Sequence, residues 1–324
     1  MRLAKWVYPL SVSLLLGYIY NKYKAKQLDA DHEGSYAMVQ HYLLNGERGA
    51  QPKKPIIWIH STYEVNARSW ASFGSRNTEE LNQPYLYLTI KSIIDQNGGD
   101  FNICLIDDDS FGKLLPQWGV NLNLIADPIK SKIRQLALAK VMYTYGGFLL
   151  PSSFLCMAPV KRVYDTVTQT GGINMLVGEL LDRQSTSQQV NFFPTTQIMA
   201  CVREAPLMGQ YVNYLEKVAS TDFTQESVFD GALARWCHAQ VGAGALHLVP
   251  AQCWGAKDAD GKPVTLDRLL NNTFVHFIPD MLGLYIPADE ILNRTAYQWF
   301  ARLSQKQALA SNTVLGKHLL TVGK

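Results

Sequence analysis

The sequence predicts an α/β fold: a largely parallel sheet with helices on both faces, preceded by a membrane-anchor helix and followed by C-terminal helices. Short, continuous apolar runs, typical of strands buried on both sides, alternate along the chain with stretches of helical period. This alternation indicates right-handed β-α-β units. Polar residues follow the apolar runs, at the edge of the sheet where ligands bind in such folds.

The predicted elements follow one another in a regular order. "IIWI" is the first strand, "QPYLYLTIKSIIDQN" the helix after it, and "FNICLI" the second strand. The stretch "DPIKSKIRQLALAKVMYTYGG" predicts a long helix with Asp127 as its N-cap, Pro128 at its first position and Gly146 in the left-handed conformation at its end. "FLL" is then the third strand and "INMLVGEL" the fourth.

Composition restricts the classes of function. A chain of 324 residues, 47% of them hydrophobic, can form one large core or two modest ones. The net charge of +3, without basic runs that contain aromatics, argues against nucleic-acid binding. The five cysteines are widely spaced and form no Cys-x-x-Cys, so they indicate neither a disulfide framework nor a zinc ribbon. The chain contains no Gly-x-Ser-x-Gly, Walker loop or Gly-x-Gly-x-x-Gly, which sets hydrolase and P-loop readings aside.

Residues 1–26 predict a single-pass membrane anchor, and residues 27–53 a linker with one short helix. "WVYPLSVSLLLGYIY" is uncharged, lies between basic residues, and would reach about 22 Å as a helix. Neighbouring residues extend the membrane contact to residues 3–21, and aromatics lie at both ends. A cleaved signal peptide is the alternative, although no small-x-small site follows. The side of the membrane stays open, because basic residues balance across the segment and the Asn-x-Thr triplets at Asn271 and Asn293 do not settle it.

Candidate ligand-binding residues cluster where predicted strands end. These are His60, Ser61, Asp107, Asp108, Asp109 and the glycine pair Gly146 and Gly147. Three readings of the aspartates remain open: a solvated turn that caps the next segment, a nucleotide-binding edge, or a metal site. The glycine pair either only ends a helix or allows close approach of a ligand. His60 is a structural histidine in one reading and contacts a base or phosphate in the other.

Several of these stretches together resemble a known family. "KPIIWIH", "LIDDD" and a long helix that ends in "YTYGGFLL" resemble the DxD-containing nucleotide-sugar glycosyltransferases of the capsular-polysaccharide-synthesis and initiating-mannosyltransferase type. The later "TTQIMACVREAPLMGQYVNYL" is similar to a strand and helix of those enzymes. The resemblance covers roughly residues 54–215 and implies a GT-A fold, and the glycosyltransferase-like domain is expected to span residues 54–288. The helical pattern of residues 289–324 predicts helices that pack on this domain. More loosely, the chain resembles membrane-anchored glycosyltransferase-like proteins of large DNA viruses.

The chain departs from that family at its most diagnostic positions. Aligned on the glycine pair, the family's helix aspartate and arginine correspond to Gln135 and Leu138. The two carboxylates of its Asp-x-Asp correspond to Pro151 and Ser153. The metal that bridges the nucleotide diphosphate would thereby lose its ligands. No cofactor is therefore expected, unless Asp107 and Asp109 form a relocated site for a divalent ion such as manganese.

Two hypotheses follow for function. The first is a membrane-tethered, non-catalytic module with protein partners. The second is an active glycosyltransferase that needs no metal, in which basic side chains and helix N-termini replace the ion. Binding of a nucleotide sugar is open, and so is the enzyme class. The only candidates for a general base are Glu179 and Asp182, which follow the fourth predicted strand and are otherwise surface carboxylates.

Overall fold

A computed structural model of the chain describes residues 54–61, 83–115, 118–169, 172–181, 191–221 and 226–322. The predicted anchor, the predicted linker and Asp182 lie outside these residues. Within the described ranges, no helix has both the length and the apolar character required to span a membrane.

The chain divides into two compact units. Residues 54–108 and 121–324 belong to the larger one, and residues 109–120 belong to the smaller one. In the smaller unit the rings of Phe111 and Trp118 lie 5.9 Å apart. The predicted sheet, the glycine pair and the C-terminal segment all belong to the larger unit.

The larger unit is built on a six-stranded, mostly parallel sheet flanked by helices, so the α/β prediction is confirmed. Its strand order is β2-β1-β3-β6-β5-β7, and only β6 runs antiparallel to its neighbours. A second, two-stranded antiparallel ribbon pairs β4 with β8. The strands are β1 Ile56–His60, β2 Asn102–Ile106, β3 Gly147–Pro151, β4 Phe154–Cys156, β5 Met175–Leu181, β6 Phe192–Cys201, β7 His247–Val249 and β8 Gly283–Tyr285.

Helices connect these strands and cover the sheet. Their bounds are α1 Leu86–Asn97, α2 Phe111–Leu114 (in the smaller unit), α3 Ile129–Tyr145, α4 Lys161–Gln169, α5 Pro206–Thr221, α6 Glu226–Gly242, α7 Leu266–Leu269, α8 Ala288–Asn293, α9 Gln298–Ala301, α10 Gln305–Ala310 and α11 Val314–Val322. The predicted cap of α3 is wrong, because the helix begins at Ile129 after Pro128, which makes no side-chain capping bond.

Strand β1 shows why the sheet needs helices on both faces. Its first four residues are fully buried, so the strand has no solvent-facing side. Ile57 and Ile59 pack in a core cluster with Ile93 of α1. Trp58 points the other way, with its ring 5.5 Å from Tyr145 of α3. Period-two alternation thus divides an uninterrupted apolar run between two helical layers.

The C-terminal helices form a second core in the larger unit. The rings of Tyr85 and Phe300 lie 5.3 Å apart at its centre. Strand β4 lies between the two cores, because Phe154 and Cys156 belong to the sheet core while Leu155 belongs to the second one. A three-residue strand therefore contributes to both cores.

Candidate functional site

The carboxyl ends of β1, β2 and β3 form one edge of the sheet, termed here the strand-end edge. Parallel pairing places His60 beside Ile106 on one side and beside Pro151 on the other. Polar residues that follow these strands therefore meet at this edge. The backbone N–H of Ser61 donates to the carbonyl of Ile106 at 2.9 Å, which fixes the first residue beyond β1.

Asp108 lies among three basic side chains at this edge. Arg134 of α3 donates to it through both Nε and a terminal nitrogen, each at 2.7 Å from a different carboxylate oxygen. His60 Nε2 lies 3.0 Å from Oδ1, and Lys130 Nζ lies 3.8 Å from Oδ2. Such a two-point Arg–carboxylate contact is among the stronger polar interactions in proteins.

The charge of Asp108 is stabilised by these partners. Burial alone would raise the pKa of Asp108, but the hydrogen bonds from Arg134 and His60 lower it well below the usual range of an aspartate. The carboxylate thus stays ionised at neutral pH and links the end of β1 to the first turns of α3. These bonds occupy both of its oxygens with protein donors, in the manner of a structural tie.

Pro151 and Ser153 lie where the resemblance expects two carboxylates. Pro151 ends β3, and Ser153 follows it, only 5% exposed. The carbonyl of Ser152 between them accepts a bond of 2.6 Å from the hydroxyl of Thr89. A proline offers no side-chain oxygen and a serine only a neutral one, so these two residues do not fit a divalent ion. Within the described ranges, no three His, Cys, Asp or Glu side chains gather as a metal site.

The glycine pair contacts the protein's own backbone. A Cβ on Gly147 would lie 2.2 Å from the carbonyl oxygen of Ile56, and one on Gly146 would lie 2.6 Å from the amide of Arg203. Both glycines have positive φ, +68° and +108°, and the carbonyl of Gly146 accepts a buried bond from Trp58 Nε1 at 2.9 Å. Packing of β1 against the end of α3 is therefore a sufficient reason for the sequence "YGG".

A cleft of about 540 Å³ lies at the same end of the sheet, beside β5, β6 and α6, and is termed here the α6 cleft. Gln135 of α3 reaches it and donates to Asp230 of α6 at 3.3 Å. The β5–β6 pairing shifts register after Val177, and residues 195–197 of β6 lie in the wall of the cleft. Its lining residues are Gln135, Leu180, Leu181, Phe193, Pro194, Thr195, Thr196, Gln197, Asp230, Gly231, Leu233, Ala234, Arg235, Cys237, His238 and Ala239.

The α6 cleft combines amides, hydroxyls and charged groups with an apolar wall. Thr196 shares a hydrogen bond of 2.9 Å with the hydroxyl of Tyr211, and Gln197 accepts one of 2.8 Å from Tyr285. Burial raises the pKa of Cys237 to about 12, so its thiol stays protonated and is a poor nucleophile. The cleft thus offers hydrogen-bonding groups rather than a cysteine nucleophile. Sequence reasoning missed it, because its residues come from segments far apart in the chain.

The remaining predicted residues are placed as follows. Glu179 of β5 accepts from the backbone N–H of Ala251 at 3.0 Å and lies 3.6 Å from Lys257 Nζ, so it holds the 3₁₀ turn that follows β7. Leu138 lies in the middle of α3, one turn beyond Gln135. Asp107 follows β2 in the larger unit, while Asp109 begins the smaller one.

No family model and no curated protein matches the chain. Three glycosyltransferases are among the solved structures that match the chain. The glycosyltransferase GlyE of Streptococcus pneumoniae matches at a TM-score of 0.37 and 12% identity over 84% of this chain, which spans 64% of GlyE. The galactosyltransferase LgtC, solved with donor and acceptor sugar analogs, matches at a TM-score of 0.30 and 13% identity, over 61% of this chain and 74% of LgtC. The PaToxG glycosyltransferase matches at a TM-score of 0.31 and 12% identity, over 70% of this chain and 82% of PaToxG.

Proposed function

We propose that the chain is a membrane-anchored, glycosyltransferase-like protein without a working metal and nucleotide-sugar site, which acts as a non-catalytic structural or interaction module. The composition of the strand-end edge carries this proposal. Pro151 and Ser153 stand where the resemblance expects carboxylates, and Asp108 already binds Arg134 and His60. In a large DNA virus, such a module would serve as a virion or assembly component.

The physical argument concerns the leaving group. A nucleotide diphosphate departs with negative charge, which a divalent ion neutralises when carboxylate oxygens hold that ion. Removal of electrostatic stabilisation of this kind lowers rates by a factor of about 10² to 10³. Four family positions have changed together, Gln135, Leu138, Pro151 and Ser153, and none of the four now carries a charge.

Titration calorimetry of the full chain in detergent tests the proposal. UDP-sugars and GDP-sugars are each titrated with and without manganese, and release of the free nucleotide is followed in parallel. We expect no binding heat and no nucleotide release. Manganese-dependent binding in the micromolar range would contradict the proposal, and its loss in Asp107→Asn or Asp109→Asn would assign a relocated metal site.

A second candidate, a metal-independent glycosyltransferase, is favoured by the cations at the strand-end edge. Arg134 and Lys130 both lie within 4 Å of Asp108, on the first turns of α3. Basic side chains at this position would supply part of the positive charge that a metal otherwise brings. Donor turnover in the presence of a chelator would favour this candidate over the first.

A matched pair of variants sharpens that test. Lys130→Gln removes a cation of the edge, whereas Lys91→Gln removes one from the surface of α1, where it pairs with Asp95. If the second candidate holds, turnover falls at least tenfold in Lys130→Gln and stays unchanged in Lys91→Gln. Equal activity in both would show that the edge takes no part in the reaction.

A further inference from the structure

One loop of the larger unit carries a motif that the proposed function does not use. After α7 the chain reads Asn271-Asn272-Thr273, which has the Asn-x-Thr form of an N-glycosylation acceptor. All three residues and the following Phe274 are exposed. The sequence holds one other such triplet, at Asn293, which is the last residue of α8.

The backbone of this loop is fixed while its side chains face outward. The carbonyl of Asn271 accepts from the backbone N–H of Val314 at 2.8 Å, which ties the loop to the start of α11. The side-chain oxygen of Asn271 accepts from the backbone N–H of Asn272 at 2.6 Å and from the hydroxyl of Thr273 at 3.4 Å. Both contacts use Oδ1, so neither engages Nδ2, the atom that bonds to a glycan.

An uncovered aromatic ring lies beside the motif. Phe274 is 82% exposed, the largest exposure among the aromatic residues of the described chain. Among the described residues, its ring stacks against that of His276, also on the surface, at 6.5 Å. Phe274 lies three positions after Asn271, so the two Cα atoms are at most about 11 Å apart. A glycan on Asn271 would therefore lie within reach of this exposed ring.

We propose that Asn271 is an N-glycosylation site, and hence that the larger unit lies on the lumenal side of a secretory membrane. In the modification, Nδ2 of Asn271 bonds to the anomeric carbon of an oligosaccharide carried on a lipid diphosphate. The bond from that carbon to the diphosphate oxygen breaks, the lipid diphosphate leaves with the electron pair, and the amide loses one proton. This proposal is independent of whether the strand-end edge is catalytic.

The test expresses the full chain in animal cells and compares its electrophoretic mobility before and after treatment with peptide-N-glycosidase. We expect a mobility shift that the glycosidase reverses, together with conversion of Asn271 to aspartate in the peptide mass spectrum. Asn271→Gln and Thr273→Ala should each remove one step of the shift. Thr273→Ser, which keeps the hydroxyl, and Asn272→Gln, which keeps the motif, should retain it.

Two results overturn the proposal. A chain without a glycosidase-sensitive shift, whose Asn271 peptide is wholly unmodified, shows that the site is not used. A shift removed by Asn293→Gln and untouched by Asn271→Gln places the glycan at α8 instead. The Thr273→Ala and Thr273→Ser variants differ only in the hydroxyl of residue 273. Their comparison therefore tests the site even if the Asn271→Gln variant misfolds.

Discussion

Gly147 shows how one residue can serve packing where sequence suggests a ligand. From the sequence, the glycine pair is equally consistent with the end of a helix and with close approach to a bound molecule. In the structure its missing Cβ leaves room for the carbonyl of Ile56, where β1 and β3 pair in parallel. The most specific part of the family resemblance is therefore explained without any ligand.

We predict that Gly147→Ala lowers the free energy of unfolding by about 2 to 5 kcal/mol, since it adds a steric overlap to a strained φ. Denaturant unfolding followed by circular dichroism measures the loss. Gly172→Ala is the matched control: its φ of +111° is close to the +108° of Gly147, but nothing lies within 4 Å of its added Cβ. In this control the free energy of unfolding should fall only by the cost of placing a non-glycine residue at positive φ, about 1 to 2 kcal/mol. Equal losses of unfolding free energy in the two variants would show that the backbone shifts and removes the overlap between the added Cβ and the carbonyl of Ile56.

At the scale of elements, hydrophobic runs in the sequence predicted the longer strands of the sheet, but not the shortest strands. β1, β2, β3 and β5 each contain a short apolar run, and each lies where the sequence predicts a strand. β7 and β8 have three residues each, too few for any periodicity to register. The start of α3 was misplaced, because Asp127 has the residue type of a cap but the helix begins two residues later.

The candidate site was predictable only in part for a related reason. The polar residues at the ends of the strands follow from parallel topology, and the structure brings His60 and Asp108 within hydrogen-bonding distance. Their partner Arg134 lies 26 residues beyond Asp108 on a helix, and no sequence period connects them. The α6 cleft likewise depends on which residues of α3, β6 and α6 come together in space.

The contacts of Asp108 join three elements: the end of β1, the end of β2 and α3. Because Asp108 titrates, the contribution of these contacts to the free energy of unfolding depends on pH. The pKa of Asp108 is lower in the folded chain than in the unfolded one, so the unfolded chain takes up the proton first as pH falls. The stabilisation is fully present at pH values above the unfolded pKa of about 4 and is lost progressively as pH falls from there towards the lower pKa of the folded chain.

We predict that Asp108→Asn lowers the free energy of unfolding by roughly 2 to 4 kcal/mol at pH 7, because Arg134 and His60 lose their charged partner. The difference in free energy of unfolding from the native chain should narrow as pH falls below about 4, which urea titrations at several pH values would measure. Asp95→Asn serves as the control, since Asp95 forms a half-exposed pair with Lys91 and should cost less than about 1 kcal/mol. A deficit in Asp108→Asn that stays constant with pH would contradict the tie.

At the scale of the larger unit, two hydrophobic cores share strand β4. The sheet core contains Trp254 and Phe154, whose rings lie 5.8 Å apart. The second core joins Tyr85, just before α1, to Phe300 in the C-terminal segment. Because β4 contributes to both, unfolding of one core removes contacts from the other, and the unit should unfold in a single transition.

Adjacent residues in the C-terminal segment test this coupling. Phe300 is fully buried against Tyr85, while Trp299 is 44% exposed. We predict that Phe300→Ala costs about 3 to 5 kcal/mol and that Trp299→Ala costs less than about 1 kcal/mol. Urea unfolding followed by both circular dichroism and tryptophan fluorescence gives the two values. In Phe300→Ala the two probes should move together, because the buried Trp254 of the sheet core and the buried Trp58 of β1 report the same event. If circular dichroism fell first while the fluorescence midpoint stayed in place, the C-terminal helices would unfold independently of the sheet core, and the shared-strand account of the unit's stability would be wrong.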